Sequence, residues 1–100
     1  MNNPKVNVEN VKEQFEIMLR TFTIKNKKYG NSFEISLDKY GIIAALTRLS
    51  DKFNRIETLI LSGDAGTDDE SVADTLIDLA NYCVMTAVYM KSGENNVENK

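Results

Sequence analysis

Apolar residues recur along this chain at spacings of three and four, and nowhere in strict alternation, which predicts helices and no strands. The first stripe is Val8, Val11, Phe15, Met18 and Phe22, which predicts a helix over about 8–29. Asn7 is placed to cap its start and Gly30 to end it. A linker, Gly30-Asn31-Ser32-Phe33-Glu34-Ile35, follows. The second stripe is Ile42, Leu46, Leu49, Phe53, Ile56 and Ile60, which predicts a helix over about 37–62. Gly41 weakens the start of that helix by up to about 1 kcal/mol relative to alanine, so a break near Leu37–Gly41 is compatible with the pattern. Gly63-Asp64-Ala65-Gly66-Thr67 predicts a loop, and Thr67, Asp68 or Asp69 is placed to cap a third helix over about 69–91. Ser92-Gly93 is the expected stop, and 1–6 and 94–100 the expected flexible tails of a single domain.

The third helix carries an unusual face. Glu70, Asp74 and Asp78 recur at i, i+4 and i+8, and Asn81 continues their line. Apolar stripes flank the row on both sides: Val72, Leu76, Leu79 and Cys83 on one, and Ala73, Ile77, Ala80, Val84 and Ala87 on the other. Carboxylates set between apolar stripes are costly to bury unless a cation, a proton or a metal meets them. Two further helices cannot cover a third that is apolar over more than half its circumference, so the pattern predicts a homo-oligomer. Cys83 is expected as a small buried hydrophobe. Tyr82 and Tyr89 are expected to fill the bundle, with Met85 and Met90 as ordinary packing residues.

The second helix supplies a counterpart. Arg48, Lys52 and Arg55 stand at i, i+4 and i+7, beside Asp51. In one reading these cations pair with Glu70, Asp74 and Asp78 and fix two antiparallel helices. In the other, the acids hold a divalent cation while the basic groups take phosphate oxygens. A second basic cluster, Lys25-Asn26-Lys27-Lys28-Tyr29-Gly30, offers Lys28 for phosphate and Tyr29 for stacking, or else the solvated end of a helix.

Composition narrows the chemistry. Histidine is absent, which excludes Ser-His and Cys-His catalysis and His-ligated zinc. A metal would need oxygen ligands, which suit magnesium, manganese or calcium. The net charge of −3 leaves no basic excess, so duplex nucleic acid is not an expected partner. There is no long apolar run for a membrane span and no signal-peptide pattern, so no membrane partner is expected and a cytoplasmic location is.

Lys-Tyr-Gly-Asn-Ser-Phe (28–33), the basic row Arg48, Lys52 and Arg55, and Glu-Ser-Val-Ala-Asp-Thr-Leu-Ile-Asp-Leu-Ala-Asn-Tyr (70–82) resemble the nucleotide-modification-associated domain family of the first type. This small family is largely phage-borne, and the likeness spans roughly residues 11–90. More widely, the chain is similar to the all-α MazG-like and dimeric dUTPase pyrophosphohydrolases, which hold magnesium with acidic motifs on facing helices. Glu70 and Asp74, followed by Asp78, look like the second of those motifs. The first, a Glu-Glu-x-x-Glu run, is absent, and Arg48-Leu49-Ser50-Asp51-Lys52 stands in its place.

The resemblance therefore implies an all-α, MazG-like helical bundle completed by oligomerisation. It implies a protein that binds a nucleotide or nucleotide-derived phosphorylated signal, in the host cytoplasm if phage-encoded. Arg48, Lys52, Arg55 and Lys28 are the expected phosphate contacts, and Tyr29 joins them in the site. Glu70, Asp74 and Asp78 would hold Mg2+ or orient the cations, and Asn81 would hydrogen-bond a base or ribose. The rivals are a magnesium-dependent nucleoside triphosphate pyrophosphohydrolase, with Asp51 added to a reduced cage, and a salt-bridged structural bundle.

Overall fold

A computed structural model describes residues 4–62 and 70–98, with side chains from 71 to 93 in the last helix. The described residues are helical, with no strand among them. The described residues form four helices: α1 (Val8–Tyr29), α2 (Ser32–Tyr40), α3 (Ile43–Leu61) and α4 (Glu70–Glu98). The chain divides into two compact units, Met1–Gly30 and Asn31–Lys100.

The first unit is α1 with the residues that lead into it. Asn7 caps the helix as expected: its backbone is extended, and its side-chain oxygen accepts a bond from the Asn10 N–H at 2.9 Å. Two further side-chain amides tie the lead-in down, Asn7 to the Pro4 carbonyl and Asn10 to the Lys5 carbonyl. Gly30 ends the helix at φ 66°, ψ −148°, a region that only glycine enters without strain. The expected core stripe is not a core here. Met18 and Phe22 are half-buried, while Val8 and Phe15 are exposed and no α1 residue is fully buried. Within its own unit a lone helix has no second apolar surface to meet.

The second unit is built on α3 and α4, with α2 laid against them. The region expected as one long second helix is two helices, parted at the Gly41 break that the pattern allowed. Gly41 adopts φ 78°, ψ −170°, and its N–H closes α2 on the Leu37 carbonyl at 2.8 Å. Its effect is thus to turn the chain, not merely to weaken a continuing helix. The residues 32–35, expected as linker, form the first turn of α2, whose Leu37 is the most deeply buried large side chain. At the other end, Ser92-Gly93 does not stop α4, which continues to Glu98. The expected loop at 63–67 and the caps at Thr67, Asp68 and Asp69 lie outside the described residues.

The phase of α3 also differs from expectation. Its inward line is Ala45, Leu49, Lys52, Ile56 and Leu59, with Ala45 and Ile56 buried. Ile42, Leu46, Phe53 and Ile60, expected in the core, stay half exposed. On α4 the inward line is Ser71, Thr75, Asp78, Tyr82, Met85 and Tyr89. Among the described side chains of α4, Thr75 on this line and Asn81 beside it are buried. Cys83 is exposed, against expectation, because it follows Tyr82 round the helix and points off the inward line. Met90 is exposed in the same way beside Tyr89. Polar contacts, not the widest apolar stripes, set how these two helices face each other.

Candidate functional site

The α3–α4 seam collects most of the residues singled out from sequence. Lys52 Nζ lies 3.6 Å from Asp78 Oδ2, and Arg55 Nε donates to Thr75 Oγ1 at 3.2 Å. The pairs 52–78 and 55–75 advance in opposite directions, so the helices run antiparallel. That arrangement brings Lys52 and Arg55 of the basic row against the polar face of α4, part of one of the two sequence readings. The pairing differs in detail from a ladder of ion pairs. Arg55 meets a hydroxyl, and among the described residues Arg48 makes no ion pair.

Thr75 is the residue that sequence reasoning passed over. Its hydroxyl donates to the Ser71 carbonyl at 2.6 Å and accepts from Arg55, while its side chain is buried. Threonine suits this place, because its hydroxyl can bond back to the preceding turn and still offer a lone pair outward. The signal was present in the register: if Lys52 faces Asp78 in an antiparallel pair, Arg55 must face position 75. The bond engages the Nε of the guanidinium and leaves its Nη donors out of that contact, on a residue that is exposed.

Two contacts tie α2 to this seam. Phe33 meets the Tyr82 ring edge-on, with centroids 5.0 Å apart and an interplanar angle of 68°. Lys52 Nζ stands 6.0 Å from the centre of the same ring. Farther along, the Tyr89 hydroxyl donates to Asp38 Oδ1 at 2.7 Å. That bond to the carboxylate, helped by the negative charge of Asp38 and Glu34, raises the Tyr89 phenol above its ordinary value. Both tyrosines are half-buried at the seam, whereas Tyr40 is exposed.

The acidic row is divided. Asp78 is held near Lys52 and is 21% exposed, Asp74 is exposed one turn earlier, and the Glu70 side chain lies outside the described residues. Among the described residues no three acidic or metal-binding side chains converge. Asp74 and Asp78 alone therefore offer at most a two-carboxylate edge, the kind of partial shell that magnesium completes with water and phosphate. Asn81 is buried on the flank that carries Asp74 and is engaged by its surroundings. Asp51 is exposed beside Lys52. Lys28 and Tyr29 belong to the first unit, where Lys28 Nζ lies 5.4 Å over the Tyr29 ring and both are exposed.

Residues 25–90 match the family model described as nucleotide modification associated domain 1. The chain belongs to this family. The matched stretch covers the whole seam, from Phe33 through Arg48, Lys52 and Arg55 to Asn81 and Tyr82. No curated protein and no solved structure matches the chain. No helix among the described residues is long and apolar enough to cross a membrane.

Proposed function

We propose that the α3–α4 seam binds the phosphate groups of a nucleotide or a nucleotide-derived signal. The observation that carries this is the state of the basic row. Of three cations on one flank, only Lys52 faces a carboxylate among the described residues, while Arg48 and Arg55 keep their charge toward solvent. Arg55 is moreover oriented by Thr75, so its outer donors are pre-set for a bidentate phosphate contact. Lys52 sits between the two arginines, and Asp78 holds it in place.

Asn81 would hydrogen-bond a base or ribose. Asp74, Asp78 and Glu70 would hold a magnesium ion, which would supply charge neutralisation for the phosphates. The similarity to MazG-like pyrophosphohydrolases supports the location, because those enzymes also use facing helices. The cations standing where they carry acids favour binding over hydrolysis. For a phage-borne protein in the host cytoplasm, holding a nucleotide signal without turning it over is a use that fits.

The test is a thermal-shift screen of the full chain against nucleoside mono-, di- and triphosphates and cyclic nucleotide signals, with and without magnesium. A ligand at about 100 times its dissociation constant adds about 2.7 kcal/mol of stability. The expected result is a shift with one class, lost in Arg55→Gln, with the ligand recovered intact by chromatography. A cleaved product would make the protein an enzyme instead, and no shift from any nucleotide would sink the reading.

A further inference from the structure

We infer that the seam takes a nucleotide whose phosphates are diesters set apart from one another, and that Asp51 turns away an unbroken polyphosphate chain. This rests on the phosphate-binding reading above and names the ligand class within it. Arg48 and Arg55 are seven residues apart on α3, so they share a face and stand about 10.5 Å apart along the helix axis. Asp51 is three residues after Arg48 and four before Arg55, and so neighbours both. All three are exposed. Lys52, the cation between the arginines, is drawn to Asp78.

The α4 side adds acid, not base. In the register set by the 52–78 and 55–75 pairs, Asp74 stands level with Ile56, next in sequence to Arg55. Asp74 is exposed there. Arg48, Lys52 and Arg55 are thus matched by Asp51, Asp74 and Asp78, and these side chains together carry no net charge at neutral pH. Farther along, Asp38 on the Tyr89 hydroxyl makes the α2 end acidic too. The basic row is therefore two separate arginine positions with a carboxylate between them, not a continuous positive groove.

Charge and spacing then select the ligand. A phosphate that bridges two sugars carries a single negative charge. A terminal phosphate carries about −1.5 to −2 near neutral pH, and in a triphosphate it is joined directly to two more charged groups. The separation of the arginines suits phosphates parted by sugars, one accepted by each guanidinium. A triphosphate laid between the arginines would bring its charge onto Asp51, well inside the screening length of about 8 Å at physiological salt. A magnesium ion on the α4 carboxylates would add two positive charges, which two diester phosphates balance and a triphosphate exceeds. A dinucleotide with two diester phosphates and no terminal one is a closed ring. The class is thus a cyclic dinucleotide.

Calorimetric titration of the full chain, with and without magnesium, tests this. The probes are the cyclic dinucleotides of adenine and guanine, their opened linear forms bearing a terminal phosphate, and the matching nucleoside triphosphates. A cyclic dinucleotide is expected to bind at least about tenfold more tightly than its linear form and than either triphosphate. Asp51→Asn should keep the helical circular dichroism and melting temperature of the unliganded wild type, because Asp51 is exposed. It should narrow the gap by strengthening triphosphate binding more than diester binding. Triphosphates that bind wild type as tightly as the cyclic dinucleotides overturn the inference and leave phosphate binding at the seam standing. So does a gap that stays as wide in Asp51→Asn as in wild type. Binding of no probe overturns the phosphate-binding reading and this inference with it.

Discussion

Replacing Lys52 by methionine and Asp78 by asparagine, singly and together, isolates the Lys52–Asp78 ion pair across the seam. The two charges are 3.6 Å apart. At an effective dielectric of about 20 such a pair attracts by roughly 4–5 kcal/mol before desolvation is counted. Lys52 and Asp78 are 29% and 21% exposed, so both have given up much of their hydration and both still feel solvent screening. Fully exposed pairs are worth about 0.2–1 kcal/mol, whereas breaking a fully buried pair costs about 3–5 kcal/mol. The distance is also longer than the roughly 2.7–2.9 Å of a strong charge-assisted hydrogen bond. A coupling energy of about 1–2 kcal/mol is therefore expected from the double-mutant cycle. Methionine keeps most of the lysine stem, so lost packing contributes little to that number. The assay is urea unfolding followed by circular dichroism at one fixed protein concentration, since self-association would otherwise shift every midpoint. A coupling below about 0.3 kcal/mol would refute the claim that this pair joins the helices, leaving Lys52 as a cation held for a ligand alone.

Three further outcomes follow from the same geometry. Thr75→Val keeps the shape but removes the bonds to Ser71 and Arg55, and should lower urea-unfolding stability by about 0.5–1.5 kcal/mol. Gly41→Ala has open space for its methyl group but must hold a positive φ with extended ψ, so it should cost about 1–3 kcal/mol in the same assay. For Tyr89 the folded phenol binds its proton more tightly than the unfolded one, so its contribution is complete below the ordinary tyrosine value and is lost as pH rises through the raised one. Wild-type protein should therefore lose more thermal stability than Tyr89→Phe above about pH 10, and parallel pH profiles for the two would refute the Asp38 contact.

The helical class and both ends of α1 were legible because they depend on local rules: spacing, an asparagine at the start and a glycine at the stop. The meeting of the basic row with the face of α4 was legible too, because charges at three and four residue spacing must lie on one side of a helix. At Gly41 the sequence allowed a break without requiring one, since it shows a glycine but not the sign of its φ, and only a positive φ separates a weak helix from a corner. The phase of α3 escaped for a different reason. An apolar stripe tells how wide a sticky surface is, not which partner will cover which part of it. Ile42, Leu46, Phe53 and Ile60 make the obvious core line, yet Lys52 and Arg55 finding Asp78 and Thr75 turn the helix one position away from it. Thr75 itself carried no separate signal until the register was known.

The polar seam also answers a question of uniqueness. Two antiparallel helices joined only by aliphatic contacts can slide past each other by three or four residues and bury nearly the same area. Here such a slip would carry Asp78 away from Lys52 and strand Thr75 opposite a different turn, so neighbouring alignments lose both contacts at once. Lys52, Arg55, Thr75 and Asp78 thus act as a key that admits one alignment. An all-apolar seam of the same volume would hold the helices at least as strongly, but in several alignments, and the cations of α3 would no longer keep a fixed place against the polar groups of α4.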